Sequence, residues 1–167
     1  MYHGSNIEIL EIDFALCRPY KDFGKGFYVT EIREQAEMMA RRVSRIYGGS
    51  PCVTAFTFDD RALLDKALNI RIFENPTEDW ALFVINNRNR KFKDIFSMEC
   101  NLDNKYDLVI GPVANDDLAL LFRQFSNQLI DLDVLVKGMK FKKLTNQLSF
   151  HTHRAISFLK KEEVYHL

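Results

Sequence analysis

The stretch Asp22-Phe-Gly-Lys-Gly-Phe-Tyr-Val-Thr30 decides how the chain is read. Two glycines flank one lysine, two aromatics follow at once, and Val29-Thr30 leads on toward a helical pattern. Glycine lets backbone turn through positive φ or approach a ligand closely. Adjacent aromatic rings offer a flat apolar face for stacking. A tight turn feeding an aromatic strand is thus an economical floor for a ring-bearing ligand. The longer Gly-x-x-x-x-Gly-Lys-Ser/Thr pattern is missing, so Lys25 is not assigned to a phosphate loop.

On the N-terminal side, Met1 to Ser5 reads as a short strand that breaks into a turn, and Ile7, Ile9 and Ile12 with Leu10 form a second apolar segment. On the other side the period changes. Ala36, Met39, Ala40, Val43, Ile46 and Tyr47 recur at helical spacing, with Arg41, Arg42 and Arg45 opposite them as a solvated face. Gly48-Gly49-Ser50-Pro51 stops that helix. Val53 to Phe58 reads as a strand, and so does the alternation Leu68, Ile70, Ile72. Thr77 opens a helix whose acidic first turn suits the macrodipole. Asp107 to Ile110 predicts a buried strand ended by Gly111-Pro112. Asn115-Asp116 caps a helix carrying Leu118, Leu121, Phe122 and Phe125.

A short helix is expected over Leu132 to Lys137. From Gln147 to His151 the period is two, which puts Leu148 and Phe150 on one face and Gln147, Ser149 and His151 on the other. Thr152 is expected to cap a last helix through Leu159, before a terminal strand from Val164 to Leu167. Strands and helices mix without strict βαβ alternation, so the class is α+β.

The bulk numbers exclude several functions. With 167 residues the chain is expected to form one domain over 1–167. Fourteen Phe predict a core built largely of aromatics. Lys+Arg and Asp+Glu are both 23, so bulk charge gives no reason to expect a nucleic-acid binder, although a local basic patch stays open. Cys17, Cys52 and Cys100 make no Cys-x-x-Cys, which argues against a zinc ribbon or a redox motif and for reduced thiols in the cytoplasm. No basic-then-apolar leader and no membrane-length apolar run appear, so a soluble protein with no membrane partner is expected. His151 and His153 have no third ligand close in sequence, and no metal site is assigned.

Singly, each remaining feature has an ordinary explanation: His3 as a satisfied histidine, Gly24 and Gly26 as turn residues, Tyr28 and Trp80 as core, Gln147 as solvent-exposed. Together they occur in a specific order. Tyr2-His3-Gly4-Ser5 is followed by Arg18-Pro19 and Asp22 to Thr30, then Ile110-Gly-Pro-Val-Ala-Asn-Asp116, then Asn146-Gln147-x-x-Phe150. This set resembles the bacterial family called domain of unknown function 3990 over nearly the whole chain. That family is grouped with the ADP-ribosyltransferase superfamily, whose members share a split, strongly bent β-sheet clamping NAD.

The resemblance implies roles at individual positions. His3 would hydrogen-bond the 2′-hydroxyl of the adenosine ribose, and Gly4 would present backbone N–H and C=O to the nicotinamide amide. Tyr28 would stack on the nicotinamide ring. Gln147 would occupy the place where many transferases carry a catalytic glutamate, so His3, Tyr28 and Gln147 form the implied catalytic set. Arg18 is the candidate for the NAD diphosphate. Ser5, Gly24, Gly26, Phe27 and Thr30 complete the cofactor-binding set.

The implied activity is cleavage of the nicotinamide–ribose bond, through an oxocarbenium-like transition state, with transfer of ADP-ribose to a protein or nucleic-acid acceptor. Gln147 departs from the best-known pattern, because an amide carries no charge and cannot act as general base. NAD hydrolysis and an inactive NAD-binding or protein-interaction module therefore stand as alternatives. A growth-inhibiting toxin held by a small antitoxin-like protein stands beside them. Asp22, Glu162 and Glu163 are carboxylates that no motif places near the site.

Overall fold

The alternating and β-branched runs become strands β1 (Tyr2–Ser5), β2 (Phe27–Thr30), β3 (Cys52–Phe58), β4 (Ile70–Ile72), β5 (Leu108–Pro112), β6 (Asn146–Phe150) and β7 (Leu159–His166). The helical patterns become α1 (Arg33–Tyr47), α2 (Glu78–Arg88), α3 (Asp116–Ser126), α4 (Leu132–Met139) and the single turn α5 (His153–Ile156). The structure, a computed structural model, describes residues 1–96, 99–139 and 144–167. Its strands form one seven-stranded sheet in the order β4-β5-β6-β2-β1-β3-β7. The β4–β5 pair is parallel and the other pairs are antiparallel. This is a mixed α+β architecture.

The helix starts follow the sequence. Thr77, Asn115 and Thr152 each accept a backbone N–H with their side-chain oxygen, from Trp80, Leu118 and Ala155. Other boundaries differ. β5 runs on through Gly111 and Pro112, which sit opposite Gln147 and Asn146. The last helix stops at Ile156 rather than reaching Leu159, because Leu159 already pairs with Phe58 and opens the long strand β7. In α1 only Ala36 and Ala40 are fully buried, while Met39, Ile46 and Tyr47 are exposed. The cause lies beneath the helix: a Cβ on Gly4 would sit 1.9 Å from the Ala36 carbonyl oxygen. At so close an approach only alanines fit the contact line.

Register fixes which side chains share a face. Tyr28 lies opposite Ser149, Thr30 opposite Gln147 and Tyr2, and Val109 opposite Ser149. Tyr2, Gly4, Tyr28, Thr30, Gln147 and Ser149 therefore share the face that α1 and the α2–α4 helices cover. Trp80, Phe83, Phe23, Val109 and Leu118 form the core on that side, with Trp80 donating its indole N–H to the Pro112 carbonyl at 3.2 Å. His3, Phe27, Val29, Leu148 and Phe150 share the other face, over a second core with Phe56, Leu108 and Leu159. Ile9, Ile12 and Phe14 pack against it from an irregular segment.

The polar row on β6 holds down the glycine turn. Gln147 donates to the Asp22 carboxylate at 2.8 Å. His151 is buried, with Nδ1 2.9 Å from the Lys25 carbonyl and Nε2 2.8 Å from the Ser149 hydroxyl. A carbonyl only accepts, so Nδ1 carries the proton and Nε2 accepts from Ser149. Burial, partly countered by that carbonyl, lowers the His151 pKa to about 4.

Two outcomes are expected. The His151 shift means the unfolded chain takes up a proton near pH 6.5 that the folded chain refuses until about pH 4, so this residue's contribution is lost as pH falls through that window. Denaturant unfolding of the wild type and His151→Asn from pH 7 to 4.5 should diverge in slope, by up to about tenfold in the folding constant per pH unit; parallel profiles would refute the buried neutral imidazole. Gly4→Ala should lower stability by about 1–3 kcal/mol, because α1 must lift off β1, and an unchanged urea midpoint would contradict this packing.

Candidate functional site

The sheet has a seam at its centre. β1 pairs with β3 at four positions and β2 pairs with β6 at four, but β1 and β2 share only Tyr2 opposite Thr30. Met1 exchanges both backbone hydrogen bonds with Phe56. Alternation then turns the backbone groups of His3 and Ser5 toward β3 and those of Tyr2 and Gly4 toward β2. Tyr2 has its registered partner there and Gly4 has none among the described residues. The N–H and C=O of Gly4 thus point into the seam beside Tyr28.

His3 bridges the seam with its side chain. Its Nδ1 lies 2.7 Å from the Tyr28 carbonyl oxygen, and its ring stacks on Phe27 with centroids 4.3 Å apart. The imidazole is held neutral, because burial pushes its pKa down against the opposing pull of the carbonyl. Nδ1 donates, which leaves Nε2 as an acceptor with no partner among the described residues. Phe27 is buried and belongs to the same face as His3.

Tyr28 lies on the opposite face, with its ring half-buried between Phe23 and His151. Its hydroxyl donates to the Gly24 carbonyl at 2.7 Å and accepts from the Phe23 N–H at 3.0 Å. Gly24 reaches that hydroxyl by turning through φ 94°, which a side chain would resist. Gly26 lies against the His151 ring. Burial, reinforced by the Asp22 charge, drives the Tyr28 phenol pKa upward, so Tyr28 stays neutral.

Gln147 is one strand across from Tyr28 and two residues along, a diagonal that puts their Cα atoms roughly 7–8 Å apart. Its amide N–H₂ contacts Asp22, which is 7% exposed. Asp22 Oδ1 accepts from Arg88 Nε at 2.9 Å and Nη2 at 2.6 Å, and Oδ2 accepts from the Ala114 N–H at 3.0 Å. Of the three carboxylates that no motif placed, Asp22 is beside Gln147, whereas Glu162 and Glu163 sit on the edge strand β7.

The other candidates are peripheral. The Ser5 hydroxyl donates to the Ile7 carbonyl at the end of β1, and Thr30 donates to Gln35 Oε1 at 2.8 Å near the start of α1. Arg18 is exposed, with its guanidinium 3.7 Å above the Tyr47 ring. Lys21 stands close by, and desolvation together with the Arg18 charge lowers its pKa. These cations rim the glycine turn.

Sequence reasoning missed Arg88, Ala114 and Asn101. Asn101 is fully buried and takes the Tyr106 N–H at 2.9 Å, with Asn87 Oδ1 receiving its own N–H at 2.9 Å. The available signal was Asn86-Asn87-Arg88 closing the helix directly after the apolar run Trp80 to Ile85. Two surface depressions lie elsewhere: one of about 540 Å³ around Phe125, Leu129 and Ile130, the other of about 210 Å³ around Ile9, Ile12 and Ile156. Among the described residues no helix is long and apolar enough to cross a membrane.

A family model described as "Protein of unknown function (DUF3990)" matches residues 1–161. Neither the curated proteins nor the solved structures contain a match to the chain. The match takes in β1, the glycine–aromatic turn, the seam and β6, and stops inside β7. The chain belongs to the DUF3990 family.

Proposed function

We propose that the protein is an NAD-dependent ADP-ribosyltransferase-like enzyme whose site is the β1–β2 seam with β6 beside it. The observation that carries this reading is that β1, β2 and β6 lie side by side, so Gly4, Tyr28 and Gln147 share one face at the seam and His3 reaches the seam from the other face, although the sequence separates them by up to 144 positions (147 − 3). Their free groups fit the dinucleotide. Gly4 offers an unregistered N–H and C=O suited to a carboxamide. Tyr28 offers a ring fixed by its own hydroxyl bonds. His3 Nε2 and Gln147 Oε1 are uncharged acceptors suited to sugar hydroxyls. Arg18 and Lys21 supply positive charge for a diphosphate.

NAD supplies a glycosidic bond whose leaving group is already a ring cation. The protein's part is to hold that ring and sugar in one pose and to favour developing positive charge on the sugar. Tyr28 immobilises the ring, His3 and Gln147 orient the two riboses, and ADP-ribose passes to a protein or nucleic-acid acceptor. This is the ADP-ribosyltransferase variant of the split sheet, in the cytoplasm, where a toxin would need a small antitoxin-like partner.

One observation favours a second reading, an NAD-binding module without turnover. Asp22 is ion-paired with Arg88, so among the described residues the site offers the sugar no free carboxylate.

Isothermal titration with NAD should give saturable binding to the wild type, and Tyr28→Ala should weaken it at least tenfold while Tyr28→Phe, which keeps the ring, does not. Mass spectrometry of extracts should then find ADP-ribose adducts that disappear in Gln147→Ala. Binding without nicotinamide release selects the inactive module. No binding to a folded wild type ends both readings. For the toxin form, expression should arrest growth, and Gln147→Ala should relieve the arrest.

A further inference from the structure

The site just proposed carries a glutamine where a carboxylate would serve the chemistry better, and the reason lies behind it. Asp22 is buried, and three of its four hydrogen bonds come from Arg88 and the Ala114 N–H. The fourth comes from Gln147 Nε2 at 2.8 Å. An ionised carboxylate can only accept. Residue 147 must therefore turn a donor inward, and the rest of the amide follows: Oε1 turns away from Asp22, has no partner among the described residues, and is not sealed from solvent. Glutamate at 147 would set two carboxylates at hydrogen-bond distance, where one of them must take up a proton.

We propose that Asp22 is a positioning residue for Gln147, locking the amide so that Oε1 is held out as a fixed, uncharged acceptor for a sugar hydroxyl of the nucleotide. The ligand half of this statement rests on the NAD reading above; the pairing does not. Arg88 balances the Asp22 charge, so the pair presents orientation to the sugar and not net charge. The charged and titratable groups facing Asp22 are Arg88 from α2, Lys21 from its own loop and Tyr28 from β2. The connection from β5 to α3 contributes the Ala114 backbone alone, and β6 contributes Gln147.

The test is a swap of donor and acceptor in the full chain. Gln147→Glu should melt well below the wild type at pH 8 and recover toward pH 5, as the two carboxylates come to share a proton. Asp22→Asn combined with Gln147→Glu faces an amide donor against a carboxylate once more and leaves Arg88 a counter-charge; the Ala114 N–H loses its acceptor, so overall stability falls, but the added pH dependence should vanish. Gln147→Met, which removes the donor without adding charge, should be less stable than the wild type at every pH with no new slope. This control keeps the test sound if Gln147→Glu fails to fold at pH 8.

The pH dependence of NAD affinity should follow the same pattern: present in Gln147→Glu and absent in the swapped pair. A Gln147→Glu melting profile parallel to the wild type, or a swapped pair with the slope of the single variant, overturns the pairing. If the melting pattern appears while the wild type takes up no NAD, the ligand half falls and the pairing stands.

Discussion

A buried carboxylate is the fixed point of this molecule. Taking an ionised aspartate out of water costs several kcal/mol unless donors surround it. Asp22 gathers its donors from chain segments 66, 92 and 125 residues away. The turn at residues 22–26, the end of α2, the entry to α3 and the start of β6 are thereby joined at one side chain. Removing any partner leaves charge or a donor stranded in the interior. The Tyr28 hydroxyl and the His151 imidazole add neutral bonds to the same turn.

That rigidity on one side is what allows the sheet to be open on the other. A backbone N–H or C=O inside a protein needs a partner, and ladder bonds normally supply it. At the seam the ladder gives out after Tyr2 and Thr30, and the His3 imidazole takes the Tyr28 carbonyl in its place. α1 then closes over Gly4 at a distance that admits no side chain. Gly4 is in this way fixed from above and from β3 while its edge toward β2 remains available.

Much of this was legible from period and punctuation. The caps at Thr77, Asn115 and Thr152, the aromatic core and the two-fold alternation of β6 all follow from local rules, because each depends on neighbours within a few residues. Where local and long-range demands conflict, the long-range one prevails. Thr152 starts a helix, yet Leu159 is taken by Phe58 on β3 and the helix stops at one turn. Met39 and Ile46 fit the helical period, yet Gly4 brings α1 so near that alanines alone make the contact. Asp22 stood in the opening stretch as an unplaced carboxylate, since nothing local announces a partner at residue 88 or 147. Nor does sequence say that His3 and Tyr28 use opposite faces, which is a matter of register across a seam.

The polar row that suggested an active site also has a complete structural explanation, and the two accounts constrain each other. Folding engages Nδ1 of His3, the hydroxyl of Tyr28 and Nε2 of Gln147. What it leaves over is a definite chemistry: two uncharged acceptors, the peptide edge of Gly4, and an aromatic ring. An anion would find no donor among those side chains, and a cation would find no free charge, since Asp22 belongs to Arg88. On the reading proposed above, a hydroxyl-rich sugar joined to a flat ring suits the groups left on the Tyr28 face, with His3 Nε2 across the seam on the other face. Negative charge on such a ligand would have to lie outward, where Arg18 rests on Tyr47 and Lys21 stands beside it. The residual atoms of a satisfied network thus constrain the proposed ligand more narrowly than the residue names do.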